Sequence, residues 1–141
     1  VWGVVKADAY GHGAVRVAQA LLDEGASSLA VARVEEAMAL RRAGVGAPIL
    51  VLAPPFPAQA EAVLNADVAV SVSTVEAVQA LDQSARARGR RARFHLKVDV
   101  GMGRLGISPA EVIFFLRQIR GQTTHVDLAG IMTHFPSADD Q

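Results

Sequence analysis

The feature that most restricts the fold is a regular alternation of short β-branched apolar runs with Ala-rich stretches of helical spacing. The apolar runs predict six strands, at 1–6, 29–32, 49–52, 68–72, 94–98 and 128–132. The stretches between them predict five helices, at 15–23, 34–43, 57–65, 74–88 and 109–120. Nearly continuous apolar runs are typical of parallel strands covered on both faces, and each helix supplies the crossover that such strands need.

Two α/β architectures fit this alternation, an open doubly wound sheet and a (β/α)8 barrel. A barrel usually takes about 250 residues, whereas this sequence has 141. The barrel alternative is therefore a partial TIM barrel of six βα units. Val1 already lies within an apolar run, and Gln141 follows soon after another. Both ends look cut, so we expect a fragment of a longer protein.

Charge and composition exclude several classes of protein. The 14 basic and 14 acidic residues cancel, and cysteine is absent. A disulfide scaffold and a Cys-ligated metal site are thereby excluded, and nothing attracts nucleic acid or an anionic membrane. No apolar run approaches the ~18 residues of a membrane span, and no signal peptide is visible. We expect a cytoplasmic protein without a metal.

Two further features are interpreted as structural. The arginines between positions 86 and 93 lie where a helix ends, so we expect a solvated helix terminus rather than a nucleic-acid surface. Trp2 and the pair Phe114 and Phe115 are expected to belong to the core.

The first segment that could carry chemistry is 5–14, which reads VKADAYGHGA. Lys6 ends the first predicted strand, at the edge where parallel α/β folds bind ligands. Partial removal from water favours a free amine that can act as nucleophile or base. Gly11 and Gly13 lead into a helix, whose first N–H groups could hold a phosphate. This combination suits a phosphorylated aldehyde held as a Schiff base, although a solvent-facing lysine before an ordinary glycine turn also fits.

The second segment, 97–106, reads KVDVGMGRLG. Lys97 and Asp99 are expected on one side of the fifth strand because side chains alternate. The glycine-rich loop would fix Arg104, whose planar fork suits a phenolate, carboxylate or phosphate. A tight turn with a surface arginine is the plainer alternative. His134 follows the sixth strand at the same edge, where a lone histidine is more often structural than catalytic.

Segments 4–14, 97–106 and 133–139 resemble three motifs of the alanine racemase family, in the family's order. The resemblance spans essentially the whole chain. It implies an N-terminal (β/α)8 barrel that binds pyridoxal 5′-phosphate (PLP), followed by a β-rich C-terminal domain, in a homodimer. By that comparison, residues 1–141 are an incomplete PLP-binding barrel that ends after the sixth strand, and the C-terminal domain is absent.

The resemblance also implies roles for individual residues. Lys6 would hold the cofactor and act as the base on one face of the substrate's α-carbon. Tyr10 would hydrogen-bond the cofactor phosphate, and His134 would lie beneath the pyridine ring. Arg104 would lie near the phenolic oxygen and, with Met102, bind the substrate.

Lys97 matches a lysine that many members carry as a carbamate bridging to that arginine. The implied reaction interconverts L- and D-alanine by two proton transfers at Cα, supplying D-alanine for peptidoglycan. In the family the opposite-face acid is a tyrosine of the partner's C-terminal domain, so this fragment alone is expected to be poorly active. Four alternatives stay open: a PLP-binding barrel protein without racemase activity, a racemase of another amino acid such as serine, a decarboxylase or aldolase on the same barrel, and a fragment without function.

Overall fold

The strands form one parallel sheet whose spatial order equals their order in the sequence. The structure is a computed structural model that describes residues 1–137. The strands are β1 (Trp2–Val4), β2 (Ser28–Val31), β3 (Ile49–Val51), β4 (Ala69–Val72), β5 (Ala92–Lys97) and β6 (Val126–Met132). A doubly wound sheet reverses its strand order at one point, whereas a barrel does not. The uninterrupted order therefore confirms the partial barrel.

Helices connect successive strands. They are α1 (Lys6–Gly11), α2 (Ala14–Asp23), α3 (Val34–Arg42), α4 (Ala60–Asn65), α5 (Val75–Ala87) and α6 (Val112–Gln122), with short 3-10 turns at Pro57–Gln59 and Pro109–Glu111. Every predicted strand and helix is present. The ends differ from the prediction by at most two residues when the 3-10 turns before α4 and α6 are counted with those helices. The short segment α1, whose residues 7–10 have left-handed φ and ψ and form a turn, was not predicted.

The core consists of two layers separated by the sheet. Between the sheet and the helices lie buried β-branched and aromatic side chains, such as Val31, Val70 and Phe94. Inside the curve of the sheet lies a smaller apolar cluster around Ala30 and Leu50. Because both faces of each central strand are covered, the strands read as almost continuous apolar runs.

The expected core positions of Phe114 and Trp2 were both wrong. Phe115 is buried, but Phe114 is 71% exposed, because neighbouring residues of a helix face different directions. Trp2 remains 43% exposed on the edge strand β1. Its ring meets the His95 ring edge to face, with the centroids 5.6 Å apart. Gly130 on β6 leaves room for that imidazole, since a Cβ there would lie 2.8 Å from Nδ1 of His95.

At the amino end of the strands, Arg41 ties two loops together. Its guanidinium donates hydrogen bonds to the carbonyl oxygens of Val45 and Ala47, at 2.6 and 2.7 Å, just before β3. It also donates to the carbonyl oxygens of Ala66 and Asp67, at 2.9 and 3.1 Å, before β4. One side chain thus satisfies carbonyl groups of two successive loops.

The arginines near the end of α5 form ion pairs with neighbouring elements. Arg88 pairs with Glu61 at 2.6 Å, and Arg91 pairs with Asp127 at 2.6 Å. Arg93 pairs with Asp67 at 3.2 Å. Among residues 1–137, no helix is long and apolar enough to cross a membrane. Within that same range, no three His, Asp or Glu side chains lie close enough to share a metal ion.

Candidate active site

A cavity of about 400 Å³ lies at the carboxyl edge of the sheet and collects most of the predicted site residues. Its polar lining consists of Lys6, Tyr10, Lys97, Arg104 and His134. Its apolar wall consists of Val4, Ala32, Leu52, Ala53, Leu105 and Met132. Met102, the sixth predicted site residue, does not line this cavity and lies half-buried on the neighbouring loop.

Both lysines of the chain line this cavity. The sequence contains two lysines against twelve arginines, so nearly every cation outside the cavity is an arginine. Lysine, unlike arginine, can lose its proton and act as a nucleophile or base near neutral pH. The scarcity of lysine is therefore a compositional signal for the site that our reading of the sequence missed.

Lys6 stands at the start of a left-handed turn. Residues 7–10 have φ between 52° and 55° and ψ between 35° and 49°. None of them is glycine, and this conformation costs about 1–2 kcal/mol for each such residue. The left-handed turn replaces the strand end and glycine loop that the sequence pattern predicts here. The turn carries Tyr10 back towards Lys6, so that Nζ of Lys6 lies 5.9 Å from the centroid of the phenol ring.

Local hydrogen bonds close the turn from its far end. Oδ1 of Asp8 accepts a hydrogen bond of 2.7 Å from the backbone N–H of Ala14, in the first turn of α2. Nδ1 of His12 lies 2.9 Å from the carbonyl oxygen of Ala9, to which it donates. These contacts argue against the predicted phosphate cradle at this helix, because Asp8 already occupies an N–H group there and residues 11–13 do not line the cavity.

Lys97 occupies the end of β5 and is 8% exposed. Burial lowers the pKa of its ammonium group, and the positive charge of Arg104 lowers that pKa further, while Asp99 acts in the opposite direction. The uncharged amine is therefore favoured at Lys97 more than at an exposed lysine. Because the pKa falls on folding, the stability of the fold rises with pH between the folded and unfolded values.

Asp99 supports the glycine-rich loop rather than the cavity. Its carboxylate accepts hydrogen bonds from the N–H groups of Gly101 and Gly103, at 3.0 and 2.8 Å. At Gly106, φ is +127° and a Cβ would lie 2.5 Å from the backbone nitrogen of Asp99. Only glycine fits there, and the compact loop places Arg104 over the cavity.

His134 lies two residues beyond β6 and is exposed. The preceding Thr133 ties this segment to β5, since its hydroxyl donates a 2.8 Å hydrogen bond to the carbonyl oxygen of Val98. His134 thereby joins the cavity wall, as expected from its place after the strand. Ala138 and Asp139, which complete the third motif, lie outside the described residues.

The buried position of Lys97 beside Arg104 predicts that its ammonium group loses its proton at a lower pH than an exposed lysine does. Acetylation at Lys97, followed by peptide mass spectrometry against pH, should reach half its maximal rate below the ordinary lysine value of 10.5. Replacing Arg104 by glutamine removes a positive charge, so the Lys97 midpoint should rise in R104Q. A midpoint that falls or stays constant in R104Q would contradict the assigned influence of Arg104.

Comparison with known protein families assigns the whole chain. The family described as "Alanine racemase, N-terminal domain" matches residues 1–141. The alanine racemase of Symbiobacterium thermophilum is 51% identical over 137 residues, a match that covers 97% of this chain and 36% of that protein. The resemblance of the three motifs is thus confirmed over the length of the chain.

Solved structures give the same fold. An alanine racemase from Clostridium difficile 630 superimposes with a TM-score of 0.92 at 38% identity, covering 98% of this chain and 38% of that one. A histidine racemase from Leuconostoc mesenteroides superimposes with a TM-score of 0.88 at 27% identity, covering 95% and 36%. The chain therefore spans little more than a third of the length of these relatives.

Proposed function

Because this chain belongs to the alanine racemase N-terminal domain family, we propose that it is the PLP-binding barrel of an enzyme that interconverts L- and D-alanine. The observation that carries the proposal is the presence of both lysines, Arg104 and His134 in one cavity at the carboxyl edge of the sheet. In this proposal residues 1–141 supply the cofactor site, and a longer whole protein would supply the C-terminal domain and homodimer interface that the family resemblance implies.

The donor set of the cavity fits PLP. A primary amine at Lys6 suits the aldehyde, and the Tyr10 hydroxyl suits a phosphate oxygen. The guanidinium of Arg104 suits the phenolic oxygen or a substrate carboxylate. When bound, PLP withdraws electrons from the substrate's α-carbon and makes its proton acidic. Met102 lies outside the cavity lining, so Arg104 is the substrate contact that the proposal keeps.

The residues of the chain then have separate tasks. Lys6 would hold the cofactor through its aldehyde, and as a free amine Lys6 would take or return the proton at Cα on its own face. A positioned proton transfer of this kind contributes typically ~10²–10⁴-fold in rate. The apolar side chains of Leu52 and Met132 line the cavity in which the reacting carbon would lie. The lowered pKa of Lys97 makes its uncharged amine more available than that of an exposed lysine. That amine could add carbon dioxide and release a proton to solvent, and the resulting carbamate would pair with Arg104.

The opposite face needs a second acid. Tyr10 is the single tyrosine of the sequence, and its ring lies beside the Lys6 amine rather than across from it. We therefore assign the second acid to a tyrosine of a partner's C-terminal domain, as the family implies. Without it, the chain should retain cofactor capture and proton exchange on one face, while full racemisation is slow.

The test follows Cα protons of L-alanine in D₂O with PLP, by proton NMR. The protein should exchange this proton at least about 10²-fold faster than free PLP. Cofactor binding without exchange would favour the alternative of a PLP-binding protein without racemase activity. The histidine racemase among the structural relatives favours a second candidate, a racemase of another amino acid. Serine and histidine should be tested in the same assay. If the Cα proton of either exchanges faster than that of alanine, that amino acid would replace alanine as the proposed substrate.

A further inference from the structure

A single carboxylate, that of Glu36, connects the start of α3 to the turn after Lys6. Its Oε1 accepts a hydrogen bond of 2.8 Å from the backbone N–H of Ala7. Its Oε2 accepts hydrogen bonds from the N–H groups of Ala32 and Arg33, at 2.7 and 2.9 Å. Glu36 is half-buried, and both of its oxygens are thus engaged by backbone donors.

The two oxygens serve different purposes. The bonds to Ala32 and Arg33 are local and satisfy N–H groups at the beginning of α3, as a glutamate in the first turn of a helix often does. The bond from Ala7 reaches a residue 29 positions away. Ala7 follows Lys6 directly and is the first residue with left-handed φ and ψ, at 52° and 49°. Capping α3 does not require this third bond.

We infer that Glu36 is a positioning residue for Lys6. The direction of the Lys6 side chain depends on the backbone on either side of it. Val5 is held by the sheet, through a hydrogen bond of 2.9 Å from its N–H to the carbonyl oxygen of Ala30. Ala7 is held by Glu36 in a conformation that alanine disfavours. The inference rests on the proposed function, because it concerns the capture of PLP by Lys6.

Glu36→Gln separates the two purposes of the carboxylate. A glutamine has one acceptor oxygen and one NH₂ group, which cannot accept a hydrogen bond from an N–H group. The oxygen should stay with the two donors Ala32 and Arg33, so the NH₂ group faces Ala7. The variant therefore loses the distant bond and keeps the local ones.

Glu111→Gln is the matched control. Glu111 also stands three residues after a helix-capping residue, and its Oε2 accepts a hydrogen bond of 2.9 Å from the N–H of Ser108. It does not line the cavity that contains Lys6. Any effect of a glutamine at the start of a helix is thus reproduced without the contact to Ala7.

Two labelling reactions distinguish a Lys6 amine that is wrongly oriented for PLP from one that is no longer accessible. In the first, PLP is titrated, borohydride is added, and the adduct on the Lys6 peptide is quantified by mass spectrometry. The PLP concentration for half-maximal adduct should rise about tenfold in E36Q, as expected for losing a hydrogen bond to a charged group, and stay within about twofold in E111Q. In the second, formaldehyde with cyanoborohydride labels Lys6, with Lys97 as the internal reference. This reaction needs only access, so Lys6 labelling should stay constant or increase in E36Q.

Each outcome has one meaning. Equal half-maximal PLP concentrations in wild type and E36Q overturn the inference. If wild-type Lys6 takes up formaldehyde but no PLP, the proposed function fails instead. Should E36Q not fold, amide hydrogen exchange of the wild-type protein decides, because the Ala7 N–H should be protected to a degree similar to that of Ala32. Exchange of Ala7 at the rate of an unbonded amide would overturn the inference.

Discussion

No PLP should remain attached to the chain after borohydride treatment once Lys6 is replaced by alanine. In the wild-type protein the reduction should fix one cofactor on the Lys6 peptide. The variant lacks the amine that follows β1, so the exchange of the alanine Cα proton that depends on it should fall by about 10²–10⁴-fold. Peptide mass spectrometry measures the adduct, and proton NMR in D₂O measures the exchange.

Lys97 is the control for that experiment, because it is the other of the two lysines in the sequence. Lys97→Ala should retain the adduct on Lys6, with capture altered only through the neighbouring Arg104. A wild-type amount of adduct on Lys97 in the K6A protein would show that the two lysines have been assigned the wrong roles.

Arg41→Ala should reduce the free energy of unfolding by about 3 kcal/mol. The guanidinium donates to four carbonyl oxygens of the loops before β3 and β4. An alanine leaves those carbonyls without their partner and removes the link between the loops. Urea denaturation followed by circular dichroism gives the free energy, and the slope against urea should not change.

Arg42→Ala is the control for this variant, because Arg42 is the adjacent, exposed residue. Its loss should change stability by no more than about 0.5 kcal/mol. Arg41→Lys should recover little, since an ammonium group cannot reproduce the planar fork of donors. Equal stability of R41A and R42A would show that water replaces the guanidinium at these carbonyls.

The strands and helices were predictable because local pattern and tertiary environment agree in them. β2 reads as an apolar run because both of its faces are covered. Thr74 caps the start of α5, and its hydroxyl accepts a hydrogen bond from the N–H of Ala77. The turn at residues 7–10 was not predictable, because only Asp8 belongs to a residue type that commonly adopts positive φ, and Ala7, Ala9 and Tyr10 do not. Its conformation is imposed by contacts with α2 and α3.

The site was predictable to the extent that it depends on strand ends. Lys6, Lys97 and His134 each follow or end a strand, and parallel strands place their carboxyl ends at one edge. Glu36 was missed, because a glutamate in the first turn of a helix has an ordinary local explanation. The bond that matters comes from a residue 29 positions away, and single-sequence periodicity carries no information at that range.

The left-handed turn after Lys6 determines which parts of the protein must be transferred together if the Lys6 site is to be built into another barrel. Grafting residues 4–14 onto a foreign barrel would move the nucleophile without the scaffold that imposes its geometry. In the recipient, the alanines would relax to right-handed or extended backbone conformations, and the Lys6 amine would no longer be directed into the cavity. A portable version of this site therefore has three parts: the segment itself, the helix that follows it, and an acid one βα unit further on, at the position of Glu36.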